Sequence, residues 1–179
     1  MFRKLRILFL LGIAGMAVGG IGLTGLLFYY ANDLPTLRAL SDYDPKQITK
    51  LYGHDGTLLA EYARQKRIYT PIEDVPDKLI EAYLAAEDAA FYNHPGFDIK
   101  GIIRAALTNI FSGHKQGAST ITQQVAKTFL LTNERTYERK IKEIILARRI
   151  EKSFTKNEIL ELYLNQIYLG AGAYGVSAA

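Results

Sequence analysis

The sequence predicts a mainly helical outer domain, reached through one membrane-spanning helix and a small β-hairpin region. Three observations carry that prediction. Residues 7–30 contain no charged side chain. Two runs of β-formers, at 47–52 and 57–62, flank the turn-forming stretch Gly53-His54-Asp55-Gly56. From Asp77 onward, apolar residues recur at helical spacing almost to the end of the chain.

The uncharged run comes first. About 20 apolar residues span the hydrocarbon core of a bilayer, and residues 7–30 are long enough with some tilt. Arg3, Lys4 and Arg6 precede the run, and Asn32-Asp33 follow it. The positive-inside rule therefore places residues 1–6 in the cytoplasm and everything after Ala31 outside. Tyr29 and Tyr30 suit the aromatic belt of the interface. A cleaved signal peptide is the rival, but its apolar region is shorter and ends in a small-x-small site, whereas Phe28-Tyr29-Tyr30 close this run. An uncleaved single-pass anchor is the reading taken. Gly15 and Gly19 form a small-xxx-small pair, which serves helix packing or a homodimer of anchors.

Residues 31–46, with Pro35 and Pro45, read as a linker, and the outer domain is assigned to 47–179. A third short strand is expected over 67–70, stopped by Pro71. The first outer helix starts near Asp77 and sets Ile80, Tyr83, Leu84 and Phe91 on one arc. The second follows Asp98, with Ile99, Ile102, Ile103, Ala106 and Ile110 on one face. The third opens at Ser119-Thr120, where Thr120 and Gln123 have capping-box spacing. The fourth runs from about Thr136 to Lys152. The fifth opens with the capping box Thr155-Lys-Asn-Glu158, buries Ile159, Leu160, Tyr163, Leu164 and Ile167, and stops at Gly170.

Charge is unevenly spread. The net +4 conceals −5 over residues 31–99 and +7 over residues 100–152. The cationic stretch is either a solvated helix face or the side that meets an anionic ligand. With no cysteine in the chain, a disulfide framework and a thiolate metal site are excluded. His54, His94 and His114 are scattered and match no standard metal-site spacing, so no metal ligand is assigned.

Three clusters contain the candidate chemistry. On a helical wheel continued from Leu79, Glu87 falls between Tyr83 and Phe91, while Glu81 and Asp88 face the polar side. A carboxylate among apolar groups has a raised pKa, as general acid–base chemistry near neutral pH requires. The alternative is a glutamate held by a buried cation. The second cluster is Gly117-Ala-Ser119-Thr120-Ile-Thr-Gln123-Gln124, followed by Lys127 and Arg135. Free N–H groups at a helix start, hydroxyls and two cations suit a phosphate or pyrophosphate, and ordinary capping is the alternative. The third is Arg139-Lys140-Ile-Lys-Glu143, in which Glu143 has Arg139 as a plain ion-pair partner four residues back. Read from the residues alone, that third cluster is structural.

Together these stretches resemble the peptidoglycan glycosyltransferases of family 51, found in class A penicillin-binding proteins and their monofunctional relatives. Five blocks carry the resemblance in order. They are Glu87-Asp88-Ala-Ala-Phe91-Tyr92-Asn-His94-Pro-Gly96, then Gly117 to Lys127, then Arg139 to Glu143, then Ile159 to Asn165, and last Gly170 to Ala179.

The resemblance implies a lysozyme-like, mainly helical domain with a cleft beside the membrane. It implies polymerisation of lipid II into β-1,4 glycan strands, with inversion and release of undecaprenyl pyrophosphate. Carried over, Glu87 is the base toward the acceptor's hydroxyl and Glu143 the second acidic residue. Lys127, Arg135, Arg139 and Lys140 bind the pyrophosphate, with Ser119, Thr120 and Gln123 lining that site and Asp88, Phe91, His94 and Gly96 supporting it. No cofactor is assigned, and a divalent cation such as Mg or Mn is compatible. The implied setting is the bacterial inner membrane, with the catalytic domain on the periplasmic side and other cell-wall synthesis proteins as partners.

Thr128 stands where the family often has Asn, and the chain stops inside the fifth block, as a fragment would. The hairpin region is typical of the bifunctional class, but no transpeptidase residue is present and that activity is not predicted. Two other functions compete with glycan polymerisation. A lysozyme-like lytic enzyme needs no pyrophosphate site, and a non-catalytic membrane scaffold leaves Glu87 unexplained. Nucleic-acid binding is a poor fit, because the basic residues lie outside the cell.

Overall fold

The computed structural model describes residues 2–43, 49–62, 66–113, 117–132, 134 and 136–179. Helix α1, Phe2–Ala31, contains the uncharged run, and Phe9–Ala31 is long and apolar enough to cross a membrane by length and composition. Its described side chains are exposed almost throughout, as a lipid-facing helix requires. A one-turn helix α2, Arg38–Ser41, breaks the expected linker, and Leu40 anchors it in the core.

The hairpin forms as expected. Strands β1, Thr49–Tyr52, and β2, Leu58–Tyr62, pair antiparallel, and the Asp55 carboxylate accepts from both the Thr57 N–H (3.1 Å) and its hydroxyl (2.6 Å) within the turn. Residues 47 and 48 of the expected first strand lie outside the described residues. Strand β3 is Lys66–Arg67 and ends earlier than the sequence suggests. Beyond it, residues 69–72 are fastened to a later helix instead of extending a sheet.

Four helices build most of the remaining body. They are α3 (Asp77–Glu87), α5 (Ile121–Leu130), α6 (Tyr137–Ser153) and α7 (Lys156–Gln166). The core lies where α5 packs on α6 and α7: Ile121, Val125, Leu146, Ile150, Ile159, Leu160 and Leu164 are all buried there. Each such side chain stabilises the fold by about 1.5–3 kcal/mol relative to exposure. Thr120 caps α5 and Thr155 caps α7, both with complete capping boxes, as their spacing predicts. Asn165 on α7 accepts from the Thr70 N–H and donates to the Thr70 carbonyl, both at 2.8 Å, and Glu161 accepts from the Ile72 N–H at 2.8 Å and from the Tyr69 hydroxyl.

Helix α7 ends at Gln166, four residues before the glycine expected to stop it. The chain instead turns into β4, Tyr168–Gly170, and β5, Ala173–Tyr174; β5 pairs antiparallel with β4 and parallel with β3. Gly175 makes the return tight, since its N–H donates to the Ile167 carbonyl at 2.8 Å.

Helix α4, Ile99–Phe111, differs in another way. Its expected apolar face is real but is not a core face. Only Gly101 and Ala105 are buried, while Ile99, Ile102, Ile103, Leu107, Ile110 and Phe111 stand 41–82 % exposed.

Candidate active site

Glu87 closes α3, and Asp88 leaves the helix with φ −159°. Phe91 therefore sits in a separate 3-10 turn, Phe91–Asn93, and is buried away from Glu87. The wheel argument for Glu87 consequently fails: its carboxylate is exposed, not desolvated among apolar groups. It accepts a hydrogen bond from Gln124 Nε2 at 2.8 Å. Tyr83 and Tyr163 lie near enough to sense it. Burial raises both phenols above their ordinary range, and the Glu87 charge raises them further.

Asp88, expected on the polar side, is the buried member of the pair. Its two oxygens lie 2.9 and 3.0 Å from His94 Nε2, and Oδ2 accepts the Ile121 N–H at 3.1 Å. His94 Nδ1 accepts the Gly96 N–H at 3.2 Å, which places the ring proton on Nε2. Gly96 has φ +98°, and a Cβ there would lie 2.8 Å from the Ala147 carbonyl oxygen, so the first motif block rests directly on α6.

The start of α5 is not the open anion site that its glycine and hydroxyls suggest. Asp88 already occupies the Ile121 N–H, and the Thr120 hydroxyl accepts from the Gln123 N–H at 3.2 Å and donates to the Gly96 carbonyl at 2.7 Å. Gln123 Oε1 returns the cap to the Thr120 N–H at 3.2 Å. Thr120 and Gln123 are thus buried capping residues, although Gln123 also faces Lys140 at 3.5 Å.

The cations gather beside this helix. Glu143 is buried on α6, paired with Arg139 at 2.6 Å and Lys140 at 2.8 Å. Lys140 also donates to the Ser119 hydroxyl at 2.7 Å. Lys127, half-buried on α5, has no hydrogen-bond or ion-pair partner among the described residues. Arg139 Nε is buried and also lacks a hydrogen-bond partner among them. Ser119, Gln123, Gln124, Lys127, Arg139, Lys140 and Glu143 line one cavity of about 120 Å³, in which three cations face one carboxylate. Gln124 and Lys127 also line an adjoining cavity of about 400 Å³ with Tyr163, Gln166, Tyr168 and Tyr174. Glu87 and Ser119 share a third cavity of about 310 Å³, which reaches Arg104 on α4. A larger cavity of about 530 Å³ lies between the end of the anchor and α6 and contains neither Glu87 nor Glu143.

Arg135 lies outside the described residues. Among the described residues, no three acidic or histidine side chains are grouped to hold a metal ion. Asp88 is engaged by His94 and Glu143 by two cations, so these carboxylates do not form a cage for Mg or Mn and no step is routed through one.

Residues 55–179 match the family described as Transglycosylase. The chain belongs to the transglycosylase family. The resemblance read from the motif blocks thus holds for the family. Among curated relatives, the chain is 54 % identical over 165 residues to penicillin-binding protein 1A of Rickettsia felis, covering 89 % of this chain and 21 % of that protein. It is 47 % identical over 171 residues to penicillin-binding protein 1A of Escherichia coli strain K12, covering 95 % and 20 % respectively. The corresponding protein of Neisseria meningitidis serogroup B is 48 % identical over 170 residues, covering 93 % and 21 %. The chain therefore spans about a fifth of the length of these relatives.

Sequence reasoning set Gln124 in the second cluster without a role, although it bonds to Glu87 and lines the cationic cavity, and it missed the burial of Glu143. A signal for the second was present. Glu143, Leu146, Ala147 and Ile150 follow i, i+3, i+4, i+7 spacing and form the buried stripe of this transglycosylase-family helix.

Proposed function

We propose that this chain supplies the glycan-polymerising site of a peptidoglycan glycosyltransferase. Its substrates are lipid II as acceptor and a growing glycan on undecaprenyl pyrophosphate as donor. Glu87 takes the proton from the acceptor's sugar hydroxyl as that oxygen bonds to the donor's anomeric carbon. The bond from that carbon to the pyrophosphate breaks on the opposite face, and configuration inverts. The departing pyrophosphate gains negative charge, which Lys127, Arg139 and Lys140 stabilise. Glu143 holds Arg139 and Lys140 in place.

One observation carries this reading: an exposed carboxylate and a lysine unpaired among the described residues are brought to one helix, α5, with Gln124 touching the first and sharing a cavity with the second. A lytic enzyme acting on finished glycan has no use for that cationic cavity. The apolar face of α4, in a chain that also has a segment able to span a membrane, supports a site that works at a bilayer surface on lipid-linked substrates. The reading places the domain on the periplasmic side of the inner membrane.

The test is polymerisation of purified lipid-linked disaccharide by the complete protein. Glu87→Gln keeps the side chain's shape and removes the proton acceptor. Turnover should fall about a hundredfold or more, the usual scale for general base catalysis, while lipid-substrate binding is kept. Near-normal turnover in a folded variant would refute the assignment and leave Glu143 as the next candidate. Lys127→Ala should weaken binding of a lipid pyrophosphate, and unchanged binding would remove Lys127 from the site.

A further inference from the structure

We infer that Gln124 is the positioning residue for Glu87: its side-chain amide holds one carboxylate oxygen and leaves the other to accept the proton. This rests on the reading of Glu87 as the base.

Helix α3 by itself leaves the Glu87 side chain loosely held. Glu87 is the last residue of α3, its side chain is exposed, and Asp88 carries the backbone away from the helix axis. An exposed glutamate populates many rotamers, and a base must point at one hydroxyl. Gln124 Nε2 supplies the one hydrogen bond that the Glu87 carboxylate makes among the described residues, at 2.8 Å. A carboxylate only accepts, so the amide must present its NH2 group to it. The assignment of nitrogen and oxygen in Gln124 follows from that.

Gln124 is itself well placed to hold something else. Its backbone N–H donates to the Thr120 carbonyl at 3.0 Å, in the first turn after the capping box. Its neighbours Gln123 and Val125 are buried. The side chain therefore projects from a fixed backbone. An amide is also the right chemistry. It donates without carrying charge, so it neither forms a salt bridge that would suppress the basicity of Glu87 nor competes for the proton. Gln124 also lines the two cavities it shares with Lys127.

The experiment uses the complete membrane protein and purified lipid-linked disaccharide. Gln124→Met keeps the length of the side chain and removes the donor. It should lower kcat about tenfold, the low end for a hydrogen bond to a charged group, and leave KM within about twofold. Gln124→Glu keeps the shape of glutamine, sets a second carboxylate against Glu87, and should lower turnover more. In a Glu87→Gln background, Gln124→Met should cost nothing more. An additive loss in that background, or a loss confined to KM, overturns the inference. Normal turnover of Glu87→Gln alone would instead overturn the base itself. Gln124→Glu, isosteric with the native residue, tests the same bond should methionine disturb α5.

Discussion

Asp88 joins two buried donors, His94 Nε2 and the Ile121 N–H, and so ties the end of α3 to the start of α5. Removing it leaves both donors without a partner inside the protein. Asp88→Ala should therefore cost roughly 2 kcal/mol or more of stability, since an unsatisfied buried polar group costs about 1–3 kcal/mol. Asp88→Asn keeps one acceptor but must turn its NH2 group toward the other donor, and should cost about half as much. Thermal unfolding in detergent checks both, and equal stabilities for the two variants would contradict the account. At this scale the residue types were legible, but their surroundings were not. The wheel for Glu87 assumed a helix continuing through Phe91, whereas the attraction of Asp88 to His94 and Ile121 ends it at Glu87. That attraction is tertiary, spanning 33 residues to Ile121, and no local pattern encodes it. Glu143 was legible on its own stripe, but the surrounding apolar residues of α6 obscured it.

The capping boxes were readable because they are local. At α7 the Glu158 carboxylate accepts from the Thr155 N–H at 2.6 Å and the Thr155 hydroxyl at 2.8 Å. Those bonds, the backbone one first, hold the Glu158 carboxyl below its usual range. A carboxyl depressed in the folded state contributes stability above its unfolded value, and that contribution is lost as pH falls through the folded value. Thr155→Ala should cost about 1 kcal/mol near neutral pH. The deficit should shrink in acid, where the native box has also weakened, and melting curves near pH 7 and pH 3 compare the two. A constant deficit would show that the carboxylate plays no part. Helix α4 was readable in period but not in partner, because an amphipathic pattern reports an apolar face without saying what covers it. Since the chain contains no tryptophan, Ile110→Trp introduces a single fluorophore on that face. Reconstituted in vesicles, it should emit at short wavelength and be quenched by brominated lipid; water-like emission open to iodide would place α4 off the membrane. The β3–β5 pairing was not legible, because β5 finds its partner more than 100 residues earlier in the chain.

Over the whole molecule, seven of the eleven cations of residues 100–152 fall into three groups. Lys127, Arg139 and Lys140 face the candidate site, and Lys100 and Arg104 lie on α4 among its exposed isoleucines. The third share meets the anchor: Lys142 pairs with Asp33 at 3.1 Å and with Glu138 at 2.9 Å, and Arg149 donates to the Ala31 carbonyl at 2.9 Å. The cationic side of the domain is thus fastened to the end of α1 opposite its basic N-terminal flank. A domain held there can work on lipid-linked substrate only if that end of the anchor lies on the substrate's side of the membrane. Arg3, Lys4 and Arg6 before the uncharged run predict this, with the N-terminus inside. Alkaline phosphatase, active only after export, fused behind Ala179 should therefore be active, and β-galactosidase at the same point should not. The charge cluster should also be the cause. Replacing Arg3, Lys4 and Arg6 by Glu while adding Lys at Asn32 and Asp33 moves the basic flank to the other end of the run. This should lower phosphatase activity and raise galactosidase activity. The opposite pattern in the native chain would reverse the topology, and unchanged activities in the charge-swapped chain would show that something other than the basic flank orients the anchor.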